Sequence, residues 1–432
     1  MRERPRRPPR RRAARGGVGR RALTWLAGIA ALLLLAIVGA VLFAGATTFG
    51  ADSEGARLAR IEASPQWRDG RFRNPQAMWT AVGWREFARS LHPGADEAPS
   101  RPVPVMRDAA AQYAHAPRSG LRATWFGHSS TLVEIDGIRV LTDPLWSRRV
   151  SPVTWAGPKP WFAPPLALSA LPPIDAVLIS HDHYDHLDYD TIAAMRGWTR
   201  TRFIVPLGIG ADLEHWGIAP QRIVELDWWQ SARIGNVEIV ATPARHASGR
   251  IDAHGDRTLW SGFALLGPQR RVWYSGDTGL SDTLHEIGAR YGPFDLTMIE
   301  VGQYDASWPD WHLGPEQAVE AHRWVRGRTM LPVHWALLHL ASHGWTEPIE
   351  RTLAAARCAG VAVATPLPGQ AIEPDLGGRT QRWWPQVPWA DADRRPVIAT
   401  KHGDAGERYP RPACPPQRGR AHAASAASRD AA

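Results

Sequence analysis

Seven consecutive residues constrain this chain more than any others: Ser180-His181-Asp182-His183-Tyr184-Asp185-His186, directly after the apolar run Ala176-Val177-Leu178-Ile179. A short apolar run of this kind reads as a buried strand. So polar a segment cannot extend that strand, so the chain turns. In the turn His181 and His183 can face one way while Asp185 and His186 face another. Imidazole nitrogens and a carboxylate suit zinc, iron or manganese. Two ligand sets leaving one loop suggest two adjacent metals. The competing reading is a loop of solvated histidines, which the rarity of HxHxDH by chance disfavours.

Four ligands do not complete two metal sites, and three further candidates sit where predicted strands end. His246 follows Val240-Ala241-Thr242-Pro243-Ala244-Arg245, and His334 follows Met330-Leu331-Pro332-Val333. Asp277 lies in Ser275-Gly276-Asp277-Thr278-Gly279, where flanking glycines permit a tight turn. Thr131–Ile135 and Arg139–Leu141 flank Asp136-Gly137, a hairpin signal. Further strands are predicted at 203–205, 237–240, 272–274 and 296–299, with helices at 187–196, 280–291 and 315–325. Pro315 and Glu316 suit a first helical turn. This alternation is an α/β pattern with its chemistry at strand ends. No internal repeat is visible, and 147–173 reads as a long irregular loop.

The formal charge of +9 suggests nucleic acid, but its location argues against that partner. Ten arginines and one glutamate fall in residues 1–21, which leaves the other 411 residues balanced. Ala22 to Gly50 carries no charge. As a helix, Ala22–Ala46 spans roughly 37 Å, enough to cross about 30 Å of hydrocarbon. Residues 1–21 are therefore expected to be a basic cytoplasmic tail and 22–50 a transmembrane anchor. The positive-inside rule then puts the rest on the non-cytoplasmic, periplasmic side of the membrane. The alternative is export with signal cleavage, since Ala44-Gly45-Ala46 offers small residues and Arg20-Arg21 a partial twin-arginine signal. Two cysteines, Cys358 and Cys414, exclude a disulfide framework and a thiolate metal site.

Several segments share specific motifs with one family. These are Leu171-Pro172-Pro173-Ile174-Asp175-Ala176 leading into the histidine run, Leu187-Asp188-Tyr189 after it, Trp125-Phe126-Gly127-His128-Ser129, Thr142-Asp143-Pro144, Ala156-Gly157-Pro158-Lys159, Glu225-Leu226-Asp227-Trp228-Trp229 and Gly292-Pro293-Phe294-Asp295-Leu296. Over about 121–374 the chain resembles the metallo-β-lactamase superfamily, in the branch of N-acyl-phosphatidylethanolamine-hydrolysing phospholipase D and its bacterial relatives. The resemblance implies an αββα sandwich over 121–375, preceded by the single N-terminal helix. It implies His181, His183 and His246 on one metal, Asp185, His186 and His334 on the other, and Asp277 bridging. Zinc is the family's usual metal.

Such a pair of cations supplies an activated hydroxide without a side-chain nucleophile, which fits the absence of a convincing Ser-His-Asp or Cys-His set. The implied reaction is phosphodiester cleavage of an N-acylated phosphatidylethanolamine or similar lipid. Asp185 and Asp277 serve catalysis at the metals. His312 either orients phosphate or caps a helix, and Tyr184 either bonds substrate or packs. Asp143 and His128 are expected to fix ligands or loops. His339 and His343 depart from the animal enzyme. Two other readings are a metal-dependent lactonase or ester hydrolase on the same fold, and a non-catalytic membrane-tethered metal-binding protein. Residues 51–120 are expected to form an extension. Residues 376–432 are expected to be a largely disordered tail, with Trp383, Trp384 and Trp389 docking just before its unpatterned part.

Overall fold

The computed structural model describes residues 17–81, 94–250, 255–377 and 380–412. The chain divides into two compact units, Met1–Thr48 and Phe49–Ala432. Within the first, helix α1 (Gly17–Gly45) holds an 18-residue window, Leu23–Ala40, of mean hydropathy 2.4 with none of it buried. By length and composition it can cross a bilayer. The basic tail expected at 1–21 falls mostly outside the described residues.

The second unit is built on two seven-stranded sheets. The first runs β16 (Ala371–Ile372), β3 (Leu121–Gly127), β4 (Ser130–Ile135), β5 (Ile138–Thr142), β6 (Ala176–Leu178), β7 (Arg202–Pro206), β8 (Ile223–Leu226). The second runs β9 (Ser231–Ile234), β10 (Val237–Thr242), β11 (Gly262–Leu266), β12 (Arg271–Tyr274), β13 (Phe294–Glu300), β14 (Gly327–Val333), β15 (Ala362–Val363). In this order each sheet makes three antiparallel pairings and then three parallel ones. The two halves therefore repeat one topology, a symmetry the sequence does not display.

Alternation along each strand explains the layering. Ala123, Trp125, Val133, Val140, Leu178 and Ile204 join Ile239, Ala241, Phe263 and Leu265 in the core between the sheets. Their neighbours Phe126, Leu132, Leu141, Val177, Phe203 and Val205 face the other way. There they meet Ile192 of helix α3 (Tyr189–Ala194) and Leu213 of helix α4 (Ile209–His215). The second sheet carries helices α5 (Thr283–Tyr291), α6 (Pro315–Trp324) and α7 (Glu347–Ala359). This is the αββα sandwich.

The hairpin turns through Asp136 and Gly137, both at positive φ (48° and 86°), as the Asp-Gly signal requires. Two helices begin later than their patterns predict. Asp188 accepts the Ser147 amide at 3.0 Å and keeps an extended backbone, so α3 starts at Tyr189. Before α5, Gly279 lies against Asp310, and a Cβ there would meet the Asp310 carbonyl oxygen at 1.9 Å. That contact holds 276–282 as a loop.

The stretch before β3 contributes α2 (Gly55–Glu62) and the hairpin β1 (Trp67–Arg68)–β2 (Arg71–Phe72). Ile61 and Phe72 bury against Leu207, Leu259 and Trp260. Arg57 pairs with Glu214 at 2.6 Å and Glu225 at 2.8 Å. At the other end, Trp384 is buried and Trp383 stacks on Trp335 with ring centroids 5.3 Å apart, whereas Trp389 stays exposed.

The expected disorder of 376–432 is corrected for 380–412. Val397, Ala399, Thr400 and Tyr409 are buried. The Thr400 amide donates to Asp310 at 2.6 Å, the Ala399 amide to Gln317 at 3.3 Å, and Arg351 to the Arg395 carbonyl at 3.1 Å. Backbone hydrogen bonds to buried side chains fix this segment, so it needs no periodic apolar pattern. The remainder, 413–432, lies outside the described residues.

Asp310 gathers three distant segments: it accepts the Trp79 amide at 2.7 Å and the Thr400 amide at 2.6 Å, and pairs with Arg245 at 3.0 Å. Asp310→Ala strands a buried guanidinium and two amides, so a loss of about 3–5 kcal/mol is expected. A thermal midpoint equal to wild type in the detergent-solubilised full chain would refute this.

Asp212 gives a pH signature. Burial raises its pKa to about 7, against the opposing influence of Arg250 and the Ala51 amide. The folded chain thus holds this proton to higher pH than the unfolded chain does. Its contribution to stability is complete below about pH 4 and is lost as pH rises through 7. Asp212→Asn should shrink the drop in unfolding midpoint between pH 5 and pH 8. An unchanged drop would exclude Asp212 as its source.

Candidate metal centre

The histidine run begins just past β6. The His183 carbonyl accepts the amides of His186 at 3.0 Å and Leu187 at 2.8 Å, closing a tight turn. His246 follows β10, Asp277 follows β12, and His334 follows β14 at φ 64°. Parallel strands in both sheets thus deliver side chains from their C-terminal ends to one edge of the sandwich.

The seven candidate ligands converge there in two sets. His183 Nδ1 lies 2.8 Å from His181 Nε2 and 3.3 Å from His246 Nε2. Asp185 Oδ2 lies 3.3 Å from His186 Nε2 and 3.5 Å from His334 Nε2. Asp277 Oδ2 stands between the sets, 3.1 Å from both His186 and His334, 3.8 Å from His181 and 3.9 Å from His246. Ligand atoms of His181, His183 and His246 all lie within 4.8 Å of one another, as do those of His128, Asp185, His186 and His334.

A divalent metal pair fits these residues. Among the described residues, His186 Nε2, His334 Nε2 and Asp277 Oδ1 are buried without a hydrogen-bond partner. Orphaned buried polar atoms are costly, and here they all point into one cluster. The far ring nitrogens are held: His181 Nδ1 by Ser180 Oγ at 2.9 Å, His246 Nδ1 by the Trp311 carbonyl at 2.9 Å, and His186 Nδ1 by Asp143 at 2.7 Å. Such outer contacts orient metal-binding imidazoles.

Electrostatics divide the cluster. Burial and neighbouring imidazoles hold His181 and His246 well below the usual histidine range. Burial alone would also lower His186 and His334, but Asp277 and other carboxylates carry both well above that range. Asp277 and Asp185, against the effect of burial, are held well below the usual carboxylate range, chiefly by His186 in each case. Protons therefore collect on the His186/His334 side, where a cation would displace them.

The remaining expectations divide. His312 reaches the site, with Nδ1 2.7 Å from Glu300 Oε2 and 3.8 Å from Asp277 Oδ2. It lines a cavity of about 460 Å³ with His183, Asp185, Asp277, Trp308 and Trp311. Tyr184 is not among the residues lining that cavity. Its ring lies under the Arg250 guanidinium at 4.0 Å and packs beside Leu337 and Leu338, so the packing alternative describes it. The cause is the turn itself, which sends Tyr184 away from the flanking histidines.

His128 Nε2 lies 2.8 Å from Asp185 Oδ2, and its carbonyl accepts the His334 amide at 2.8 Å. Asp143 accepts the Ser180 amide at 2.7 Å as well as His186. His339 meets Glu97 at 3.0 Å and His343 accepts the Gln303 amide at 2.9 Å, both away from the ligands. Glu300 was missed by the sequence reading. It is fully buried at the end of β13, beside His312 and His334. A polar residue closing the apolar run 296–299 was the signal available.

Residues 138–335 match the beta-lactamase superfamily domain. An uncharacterised protein of Mycobacterium tuberculosis (strain H37Rv) is 46% identical over 377 residues, covering 84% of this chain and 99% of its own length. The N-acyl-phosphatidylethanolamine-hydrolyzing phospholipase D 1 of Caenorhabditis elegans is 38% identical over 228 residues, which is 50% of this chain and 64% of the worm protein. Among solved structures, the metallo hydrolase Igni18 of Ignicoccus hospitalis superposes with a TM-score of 0.45 at 23% identity, over 58% of this chain and 97% of its own. The chain belongs to the metallo-β-lactamase superfamily, whose fold and metal-binding cluster define a metal-dependent hydrolase. Within that superfamily, half of this chain is similar to an N-acyl-phosphatidylethanolamine-hydrolyzing phospholipase D.

Asp143→Asn offers His186 a weaker acceptor. Metal affinity should fall about 10- to 100-fold, read by competition with a chromophoric chelator. Wild-type affinity in this variant would show that Asp143 only braces the loop.

Proposed function

We propose that this protein is a two-metal phosphodiesterase of phospholipase D type, acting on N-acylated phosphatidylethanolamine or a lipid with a similar head group. The observation that carries the reading is the convergence of seven nitrogen and oxygen ligands, six buried and His183 half-buried, three of them with orphaned atoms, beside a cavity walled by Trp308, Trp311 and Leu340. His181, His183 and His246 would hold one cation, Asp185, His186 and His334 the other, and Asp277 would lie between. Zinc is the metal proposed, on the strength of the imidazole-rich ligand set. Bound there, two divalent cations supply an acidified water and an electrophile for the phosphoryl oxygen.

The chain's own residues do the rest. Asp185 and Asp277 fix the negative charge of the centre. His312, held by Glu300, presents its remaining ring nitrogen toward the cavity it lines, where it can accept a hydrogen bond from a water or hydroxyl group. The two tryptophans and Leu340 exclude water and suit the apolar part of a lipid. The similarity to the worm phospholipase D favours a phosphodiester over a lactone.

We further propose that α1 anchors the chain and that the second unit works on the periplasmic side, as a domain spanning about 121–375 with its N-terminal extension. The uncharged span after ten arginines supports the orientation.

The test is metal content and turnover of the full chain in mixed micelles. About two zinc ions per chain are expected, with release of N-acylethanolamine that stops on chelation. His181→Ala and Asp277→Ala should each lower turnover on the order of 10³-fold or more. Faster opening of a long-chain lactone would move the assignment to the lactonase reading. Zinc binding without turnover of either substrate would favour the non-catalytic one.

A further inference from the structure

Glu300 is a fully buried carboxylate that lies beside two imidazoles on different loops. An ionised carboxylate only accepts, and here three donor positions reach it. Oε1 accepts the Thr278 amide at 2.6 Å and the Leu313 amide at 3.2 Å. Oε2 lies 2.7 Å from His312 Nδ1 and 3.4 Å from His334 Nδ1. Thr278 adjoins Asp277 and Leu313 adjoins His312, so one side chain ties together the loops that carry Asp277, His312 and His334.

We propose that Glu300 is a positioning residue that fixes the tautomer and orientation of His312, coupling the residue beside the substrate, through the Thr278 amide, to the loop that carries Asp277. The inference rests on the two-metal reading above. Because Oε2 can only accept, the His312 ring keeps its N–H on Nδ1. Its Nε2 is then left bare toward the cavity.

Glutamine cannot do the same. Its oxygen can serve the two backbone amides or the His312 ring but not both, and its NH2 must face the other. With the oxygen kept on the backbone, the NH2 meets Nδ1 and drives His312 to carry its hydrogen on Nε2. Glu300→Gln thus changes a tautomer while keeping side-chain shape and volume. No other described carboxylate approaches His312 apart from Asp277 Oδ2 at 3.8 Å.

The test uses the zinc-loaded full chain in detergent. Nitrogen-15 imidazole spectra, with His312 assigned by comparison with His312→Asn, should find its hydrogen on Nδ1 in wild type and on Nε2 in Glu300→Gln. An Nε2 hydrogen in wild type, or no change in the variant, overturns the proposal. At saturating zinc, Glu300→Gln should lower kcat about 10- to 100-fold with KM little changed. The double variant Glu300→Gln/His312→Asn should fall within about threefold of the worse single variant, because contacting residues are not additive. Losses that multiply would show that Glu300 acts elsewhere, and overturn the coupling. If Glu300→Gln does not fold, the wild-type spectrum still decides the tautomer. If the loaded wild type turns over no phosphodiester, the functional reading fails, while the spectra still judge Glu300.

Discussion

Asp277 Oδ2 stands within 3.9 Å of five imidazole nitrogens, those of His181, His186, His246, His312 and His334. A carboxylate buried this deeply costs several kcal/mol unless positive charge is packed around it. The surrounding architecture meets that demand. The five histidines reach the oxygen from the β6 turn, the loop after β10, the loop before α6 and the end of β14. They can meet only if both sheets present their C-terminal strand ends at the same edge. Since strand side chains alternate, a slip of one residue in β12 or β14 would shift which residues reach that edge.

The scaffold is symmetric but its chemistry is not. By sheet position, β5 corresponds to β12, β6 to β13 and β7 to β14. After the first strand of each trio comes an aspartate, Asp143 in one sheet and Asp277 in the other. After the second comes the histidine run in one sheet, while in the other the second strand ends on Glu300. After the third the sheets part company: β7 leads into Leu207, whereas β14 leads into His334. The backing follows suit. His181 and His246 lean on a hydroxyl and a carbonyl, while His186 leans on the carboxylate of Asp143. An imidazole backed by a carboxylate is the more basic donor, so the two halves of the centre differ in their pull on a cation.

What could be read from the sequence was local. The His181–His186 run, the Asp-Gly hairpin and the polar residues closing apolar runs each announce themselves within a few positions, and all seven candidate ligands belong to those patterns. Sheet order could not be read this way, because β16 pairs with β3 across roughly 250 residues of chain. Glu300 had the same strand-end signal as Asp277, yet a lone glutamate there looks like any turn residue until His312 and His334 are beside it. Tyr184 misled for the opposite reason. Its place between ligands suggested the site, but adjacent residues in a tight turn point in different directions. The 391–412 segment showed no periodicity because hydrogen bonds to Asp310 and Gln317, more than an apolar face, hold it in place.

The cavity above the centre carries a last constraint on substrate charge. Among the described residues lining it there is no lysine or arginine; Thr80, Gln303, Trp308, Trp311 and Leu340 complete the wall around the histidines and aspartates. Any anion entering would have to be neutralised by bound cations. The apolar wall lowers the local dielectric, which strengthens that attraction and also raises the cost of each unmatched charge. A phosphodiester brings one negative charge and two organic substituents, and a phosphomonoester brings up to two charges and one substituent. On the proposed phosphodiesterase reading, a wall without lysine or arginine and with two tryptophans suits the first of these.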